Sequence, residues 1–256
     1  MARHPRSPDW DGWLRRWDEQ QTSFNPDRER RFAAMFDVAE ASVGRRFRAL
    51  DLGCGPGSLS VRLLRRFPSA RSVAVDFDPV ALRVGQGALG TVDGRLTWVD
   101  AQLGSAGWVA RLPKGRYDVA LSTTALHWLT PPSLGRLYRD VHRVLRPGGV
   151  LLNGDHLPWG ARDRSLSRLA GRVRRVRFRG ASLSSEWTGW RKWWDDAKKV
   201  PELRPFFRLQ EERQSQHPRH DEVPLDLHER ALRRAGFRDV AVVWQDVENR
   251  VLFARR

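Results

Sequence analysis

An α/β fold with a mostly parallel sheet is what this 256-residue sequence predicts, and two patterns predict it. From residue 47 to 152 short apolar runs alternate with amphipathic stretches, as successive βα units do. A glycine-rich turn, Gly53-Cys54-Gly55-Pro56-Gly57, follows the first of those runs directly. Three glycines there let backbone approach a ligand closely, because no side chain intervenes.

Taken in order, the runs at 47–52, 72–76, 95–99, 117–122 and 149–154 read as strands. The clearest helix between them is Ser133 to Leu145, where Leu134, Leu137, Val141, Val144 and Leu145 recur at helical spacing and Arg146-Pro147-Gly148-Gly149 stops it. A helix over Leu225 to Ala235, closed by Gly236, precedes two β-rich runs, 239–244 and 250–254, which pair as an antiparallel hairpin at the sheet edge. Ahead of the first strand, residues 9–43 read as two helices, with Asn25-Pro26 starting the second.

Composition narrows the class. Forty per cent apolar residues suffice for a full core, and one cysteine, Cys54, excludes a disulfide framework or a multi-cysteine metal site. The sequence has no uncharged apolar run of about 18 residues and no apolar signal segment, so a cytoplasmic protein without a membrane partner is expected. Of the net +16 charge, +9 falls in residues 162–219, with 16 basic and 7 acidic residues. The first part of that block, Ser165 to Phe178, sets Leu166, Leu169, Val173 and Val176 on one helical face and Arg168, Arg172, Arg175 and Arg179 on another. His217 and His220 flank Pro218-Arg219 without the cysteine or carboxylate partners that a metal needs, so no metal is expected.

The glycine spacing is G-x-G-x-G with Pro56 inserted, whereas a dinucleotide fingerprint is G-x-G-x-x-G and seats a pyrophosphate on the helix N-terminus. An acid, Asp51, stands two residues before the first glycine; a second, Asp76, ends VAVD; a third, Asp100, ends LTWVD. An acid at the end of the second strand binds ribose hydroxyls, and one at the next strand end lies at the height of a purine edge. Three acids on successive strand ends predict a nucleoside ligand without a pyrophosphate.

With these segments, ALDLGCGPG, VAVDFDP, LTWVDAQ, YDVALSTTALHWL and LRPGGVLL, the sequence resembles the class I S-adenosylmethionine-dependent methyltransferases over about residues 47–155 and 224–255. ALHWL and the helical amino terminus resemble the small-molecule enzymes of the trans-aconitate type. The resemblance implies a Rossmann-like, seven-stranded, mostly parallel sheet with a reversed terminal strand. It divides the chain into an N-terminal helical lid (1–44), a cofactor-binding core (45–155), a basic, Trp-rich cap (156–222) and a core completion (223–256). It implies that the backbone of Gly53, Cys54, Gly55 and Gly57 faces the amino-acid part of S-adenosylmethionine, with Asp51 toward its ammonium. Asp76 would hold the ribose, Phe77 the adenine face, Asp100 and the Ala101 amide the adenine edge, and Ser122 and Thr123 the methionine portion.

Methyl transfer from a sulfonium asks for in-line alignment and exclusion of water, and a base where the acceptor is a hydroxyl or an ammonium. His127 is the candidate base by position, or a wall of the pocket beside Trp128; Asp155 and His156 end the fifth strand at the same edge. Trp17 and Phe24 in the amino-terminal segment and Trp187 and Trp190 in the cap are candidates to line an apolar acceptor cavity, or to fix the cap to the core. A small-molecule acceptor methylated on oxygen or nitrogen, as in natural-product tailoring, is the function predicted, by a monomer or homodimer. Two alternatives stand beside it. The arginine stripe suits RNA or DNA methylation, but the Asn/Asp-Pro-Pro-aromatic motif of such enzymes is absent from STTALHWL. A cofactor-binding enzyme that does not methylate, such as a cyclase, would carry the same motifs.

Overall fold

The computed structural model describes residues 8–177, 183–214 and 223–256, apart from the side chains of Phe24, Ala161, the residues at 183–187 and Gln214. Seven strands form one sheet in the order β3-β2-β1-β4-β5-β7-β6. They are β1 Arg48–Leu52, β2 Arg71–Asp76, β3 Leu96–Asp100, β4 Tyr117–Thr123, β5 Leu145–His156, β6 Arg238–Asp246 and β7 Asn249–Arg255. The first five are parallel, and β7 runs antiparallel between β5 and β6. Strand order reverses between β1 and β4, which places a crevice at their C-terminal ends.

Sequence explains the punctuation. Helix α3 (Ser58–Arg66) starts from Gly57 in the left-handed region, and α4 (Pro79–Leu89) is capped by Asp78, which accepts from the Val80 and Ala81 amides. Pro131 opens α5 (Pro131–Val144) behind the Thr130 cap. The Arg146-Pro147-Gly148-Gly149 stop is where β5 begins irregularly: the register against β4 shifts between Tyr117 and Val119.

Two apolar layers sandwich the sheet. One packs α5 and α9 (Leu225–Arg234) through Leu134, Leu137, Tyr138 and Leu232; the other packs α2 (Arg28–Val43) and α3 through Phe32, Met35, Phe36 and Leu63. Helix α2 is therefore a layer of the sheet, and among the described residues of the expected 1–44 lid it is α1 (Trp10–Phe24) that reaches the glycine turn, through Trp17. A third cluster joins α1 and α4 to α7 (Leu183–Ala197) and α8 (Arg204–Gln214). Helix α6 (Arg164–Arg177) buries only Ala170, leaving Leu166, Leu169 and Val176 exposed.

Candidate active site

At the ends of β1, β2 and β3 the glycine turn is held by its own amides. Gly53 and Cys54 donate to the Val75 carbonyl, Gly55 donates to Asp76 Oδ2 at 2.7 Å, and Gly57 donates to the Cys54 carbonyl. Pro56 has no amide to give. With every amide used inside the protein, the turn offers a ligand carbonyl oxygens and a close approach, which suits a cationic ammonium and not a pyrophosphate. Gly53 and Gly55 take positive φ, and a Cβ on Gly53 would lie 2.4 Å from the Ala125 Cβ. Beneath the turn Asp51 is buried; Ser60 donates to Oδ2 at 2.7 Å, while Oδ1 is buried with no hydrogen-bond partner. Burial pushes its carboxyl up to about 7.

Asp76 accepts from three amides, Gly55 on one oxygen and Phe77 and Asp78 on the other, and is half-buried with its carboxyl raised to about 6 by burial. A carboxylate has about four acceptor positions, so it retains capacity for hydroxyl donors. The orphaned Asp51 oxygen, the acceptor-lined turn and the anchored Asp76 fit a nucleoside carrying an ammonium tail.

Trp17 covers the turn, its ring 3.5 Å from where a Gly55 Cβ would stand. Asp18 holds α1 there by accepting from Arg28 at 2.9 Å, Arg62 at 3.0 Å and Ser58 at 2.6 Å. The tryptophans otherwise fasten the cap to α1: Trp193 meets Trp13 and Trp17 at 5.5 and 5.0 Å between ring centroids, and Trp190 meets Trp194 edge-on at 5.9 Å.

Four expected contacts are altered by the hydrogen bonds present. The Ala101 amide donates to the Asp76 carbonyl across β2 and β3, and so is not available to an adenine edge. Ser122 is fully buried and donates to the Leu52 carbonyl, so its hydroxyl does not face the crevice. Asp100 is engaged by Arg213 of α8 in a two-pronged ion pair at 2.9 and 2.8 Å, and the same guanidinium donates to the Phe77 carbonyl. His156 ion-pairs with Glu248 at 3.3 Å rather than joining His127. Burial also raises the Cys54 thiol well above its usual value, which disfavours a nucleophilic thiolate.

Across the switch point, at the ends of β4, β5 and β7, His127 Nδ1 lies 2.8 Å from Asp155 Oδ1. Asp155 is fully buried and also accepts from the His156 amide. Burial opposes its ionisation, but the His127 contact, the Arg31 charge and that amide outweigh burial and hold its carboxyl below the usual range. An ionised Asp155 only accepts, so Nδ1 carries the proton and Nε2 is the basic nitrogen. Trp128 is 68% exposed, 5.0 Å from the His127 ring. Close by, Tyr138 Oη and His228 Nδ1 stand 2.6 Å apart in the core, and burial presses His228 down to about 4.

Arg31 completes this half and had no signal among so many arginines. It is buried; Nη2 donates to the hydroxyls of Thr123 at 2.7 Å and Thr124 at 2.6 Å, and Nη1 donates to Asn249 at 2.9 Å. Trp187 and Phe24 sit on α7 and α1, their side chains outside the described residues; Arg179, His217 and His220 also lie outside them. Arg168, Arg172 and Arg175 are exposed on α6. Among the described residues there is no cluster of three potential metal ligands and no helix long and apolar enough to cross a membrane.

Residues 49–149 match the model of a methyltransferase domain. Trans-aconitate 2-methyltransferase of Azoarcus sp. (strain BH72) is 36% identical over 135 residues, 53% of this chain and 49% of that protein. Malonyl-[acyl-carrier protein] O-methyltransferase of Geobacter sulfurreducens is 36% identical over 106 residues, 40% of this chain and 36% of that protein. These alignments span half or less of the relatives' length. Among solved structures, human N-acetylserotonin methyltransferase in complex with SAM aligns with a TM-score of 0.55 at 15% identity, over 95% of this chain and 56% of that one. PigF with SAH aligns with a TM-score of 0.54 at 16% identity, over 98% and 63%. At that identity the likeness shows the fold alone.

Proposed function

We propose that this chain, whose residues 49–149 match a methyltransferase domain, transfers a methyl group from S-adenosylmethionine to an oxygen or nitrogen of a small-molecule acceptor. The observation that carries this reading is the pairing of an acceptor-lined glycine turn and anchored Asp76 with a His127–Asp155 dyad directly across the switch point. S-adenosylmethionine supplies an electrophilic methyl on a sulfonium whose departure leaves a neutral thioether.

The residues of the chain do the rest. Asp76 accepts from the ribose hydroxyls, the carbonyls of the turn and Asp51 face the ammonium, and Trp17 excludes water from above. His127 Nε2 takes the proton that an O–H or N–H acceptor loses as its bond to carbon forms, and Asp155 holds the ring in that tautomer. Arg168, Arg172 and Arg175 of α6 are exposed and are assigned no part in the step. Incubation with methyl-labelled S-adenosylmethionine and a panel of small hydroxy, carboxy and amino compounds tests the reading. Label should pass to at least one of them from the wild type, and transfer to RNA alone would contradict it.

A further inference from the structure

Arg31 is a buried guanidinium whose hydrogen-bond partners among the described residues, Thr123, Thr124, Asn249 and the Asn25 amide, are neutral. Among the described residues no carboxylate makes an ion pair with it, and Asp155 acts on it only from beyond that distance. Burying a positive charge without an adjacent anion is costly. The fold nevertheless shapes itself around it. Gly154 leaves room for it: a Cβ there would lie 3.1 Å from Arg31 Cδ and 2.8 Å from the Met35 sulfur.

The two threonines carry that charge to the crevice. Both hydroxyl oxygens accept from Nη2, so their own protons must be donated elsewhere. The oxygens stand 3.3 Å apart. Even if one donates to the other, one proton remains for the open side, polarised by the guanidinium behind it. Thr124 is exposed, and it adopts φ +53°, a left-handed conformation that a β-branched residue rarely takes. Its amide bond to the Gly154 carbonyl and its hydroxyl bond to Arg31 hold it in that conformation. Strain of this kind at a strand end beside a catalytic dyad points to a ligand.

We propose that the Thr123 and Thr124 hydroxyls, backed by Arg31, form a carboxylate-binding subsite for the methyl acceptor. The proposal rests on the methyl-transfer reading and names its substrate class. A carboxylate brings one negative charge to the two hydroxyls, whereas a phosphate would bring about two near the ionised Asp155. The subsite lies on the same segment as His127, three residues away in sequence, so it would set the acceptor at the base.

The test uses the full chain saturated with S-adenosylhomocysteine and titrated calorimetrically with trans-aconitate, benzoate and, as the uncharged control, benzamide. At least one carboxylate should bind, with benzamide tenfold or more weaker than benzoate if benzoate is the one bound. Thr124→Val keeps the branched shape and should weaken the carboxylate tenfold or more; Thr124→Ser should stay within threefold of wild type; S-adenosylhomocysteine affinity should move less than twofold in both. Failure of both carboxylates to bind, equal binding of benzamide and benzoate, or an unchanged Thr124→Val overturns the proposal. So does a Thr124→Val that weakens S-adenosylhomocysteine but not 5′-methylthioadenosine, because the hydroxyls would then serve the carboxylate of the cofactor itself. Absence of S-adenosylhomocysteine binding strikes the methyl-transfer reading instead, and the same titration without it still decides the subsite.

Discussion

The two halves of the crevice are built in opposite ways. On the side of β1, β2 and β3 the turn, Asp51 and Asp76 come from a 26-residue stretch, and the turn and Asp76 are held by neighbouring amides while Asp51 rests on the Ser60 hydroxyl. On the side of β4, β5 and β7 the working groups come from α2, the loop after β4, the end of β5, α9 and the start of β7, and Arg31 reaches Asn249 across 218 residues. Electrostatics divide likewise. The first half buries carboxyls that burial pushes toward neutrality, and the second keeps an ionised Asp155 against His127 and a neutral His228. A cofactor shared by many enzymes can be met by a local motif, whereas an individual acceptor is met by an assembly that only the completed fold brings together.

Breaking the dyad should have the largest effect. Asp155→Asn keeps the shape but no longer fixes the His127 tautomer, and methyl transfer to the wild-type acceptor should fall on the order of 10²–10⁴-fold. Single-turnover rates check it, and an unchanged rate would reduce His127 to a pocket wall.

Next comes acid stability. Burial keeps native His228 neutral down to about pH 4, while the unfolded chain takes up that proton below about pH 6.5. Its contribution to stability is therefore lost as pH falls from about 6.5 to about 4, by roughly 3 kcal/mol. Asp51 has the opposite sign: its raised carboxyl costs stability as pH rises from about 4 to about 7. Urea melts should accordingly show the loss at low pH steepened in Asp51→Asn and removed in His228→Gln.

Cofactor affinity should sharpen the comparison on a smaller scale. If ionised Asp51 receives the ammonium, wild-type affinity for S-adenosylhomocysteine rises roughly twentyfold from pH 6 to pH 8, about tenfold of it as Asp51 ionises through about 7. In Asp51→Asn the rise should shrink to about twofold, the part left to Asp76. The smallest effect belongs to Arg213. Its ion pair with Asp100 is partly exposed, so Arg213→Ala should release the adenine edge and raise affinity two- to fivefold, about 0.5–1 kcal/mol. A fall in affinity would make the guanidinium part of the cofactor wall.

The same division explains what was legible in the sequence. Strand ends, the glycine turn and the capping Pro-Gly punctuation are local, and the strand and helix spans expected from them agree with the fold to within a few residues. His127 and Asp155 were visible as strand-end residues, but their 2.8 Å contact was not, because it spans the pairing of β4 and β5. Arg31 was one basic residue in Asp-Arg-Glu-Arg-Arg, and only the packing of α2 across β4 and β5 singles it out. Ala101 and Ser122 are placed at the ligand by the family resemblance, and the hydrogen bonds that the sheet itself requires claim both groups.

A calorimetric titration of S-adenosylhomocysteine into wild type, Asp76→Ala and Asp155→Asn, run side by side, tests the division of the crevice most directly. One molecule should bind per wild-type chain, and Asp76→Ala should lose about 100-fold, the worth of two hydrogen bonds to a charged group. Asp155→Asn should bind within twofold of wild type. No binding to the wild type, an Asp76→Ala that binds as tightly, or an Asp155→Asn that loses as much as Asp76→Ala would contradict the account.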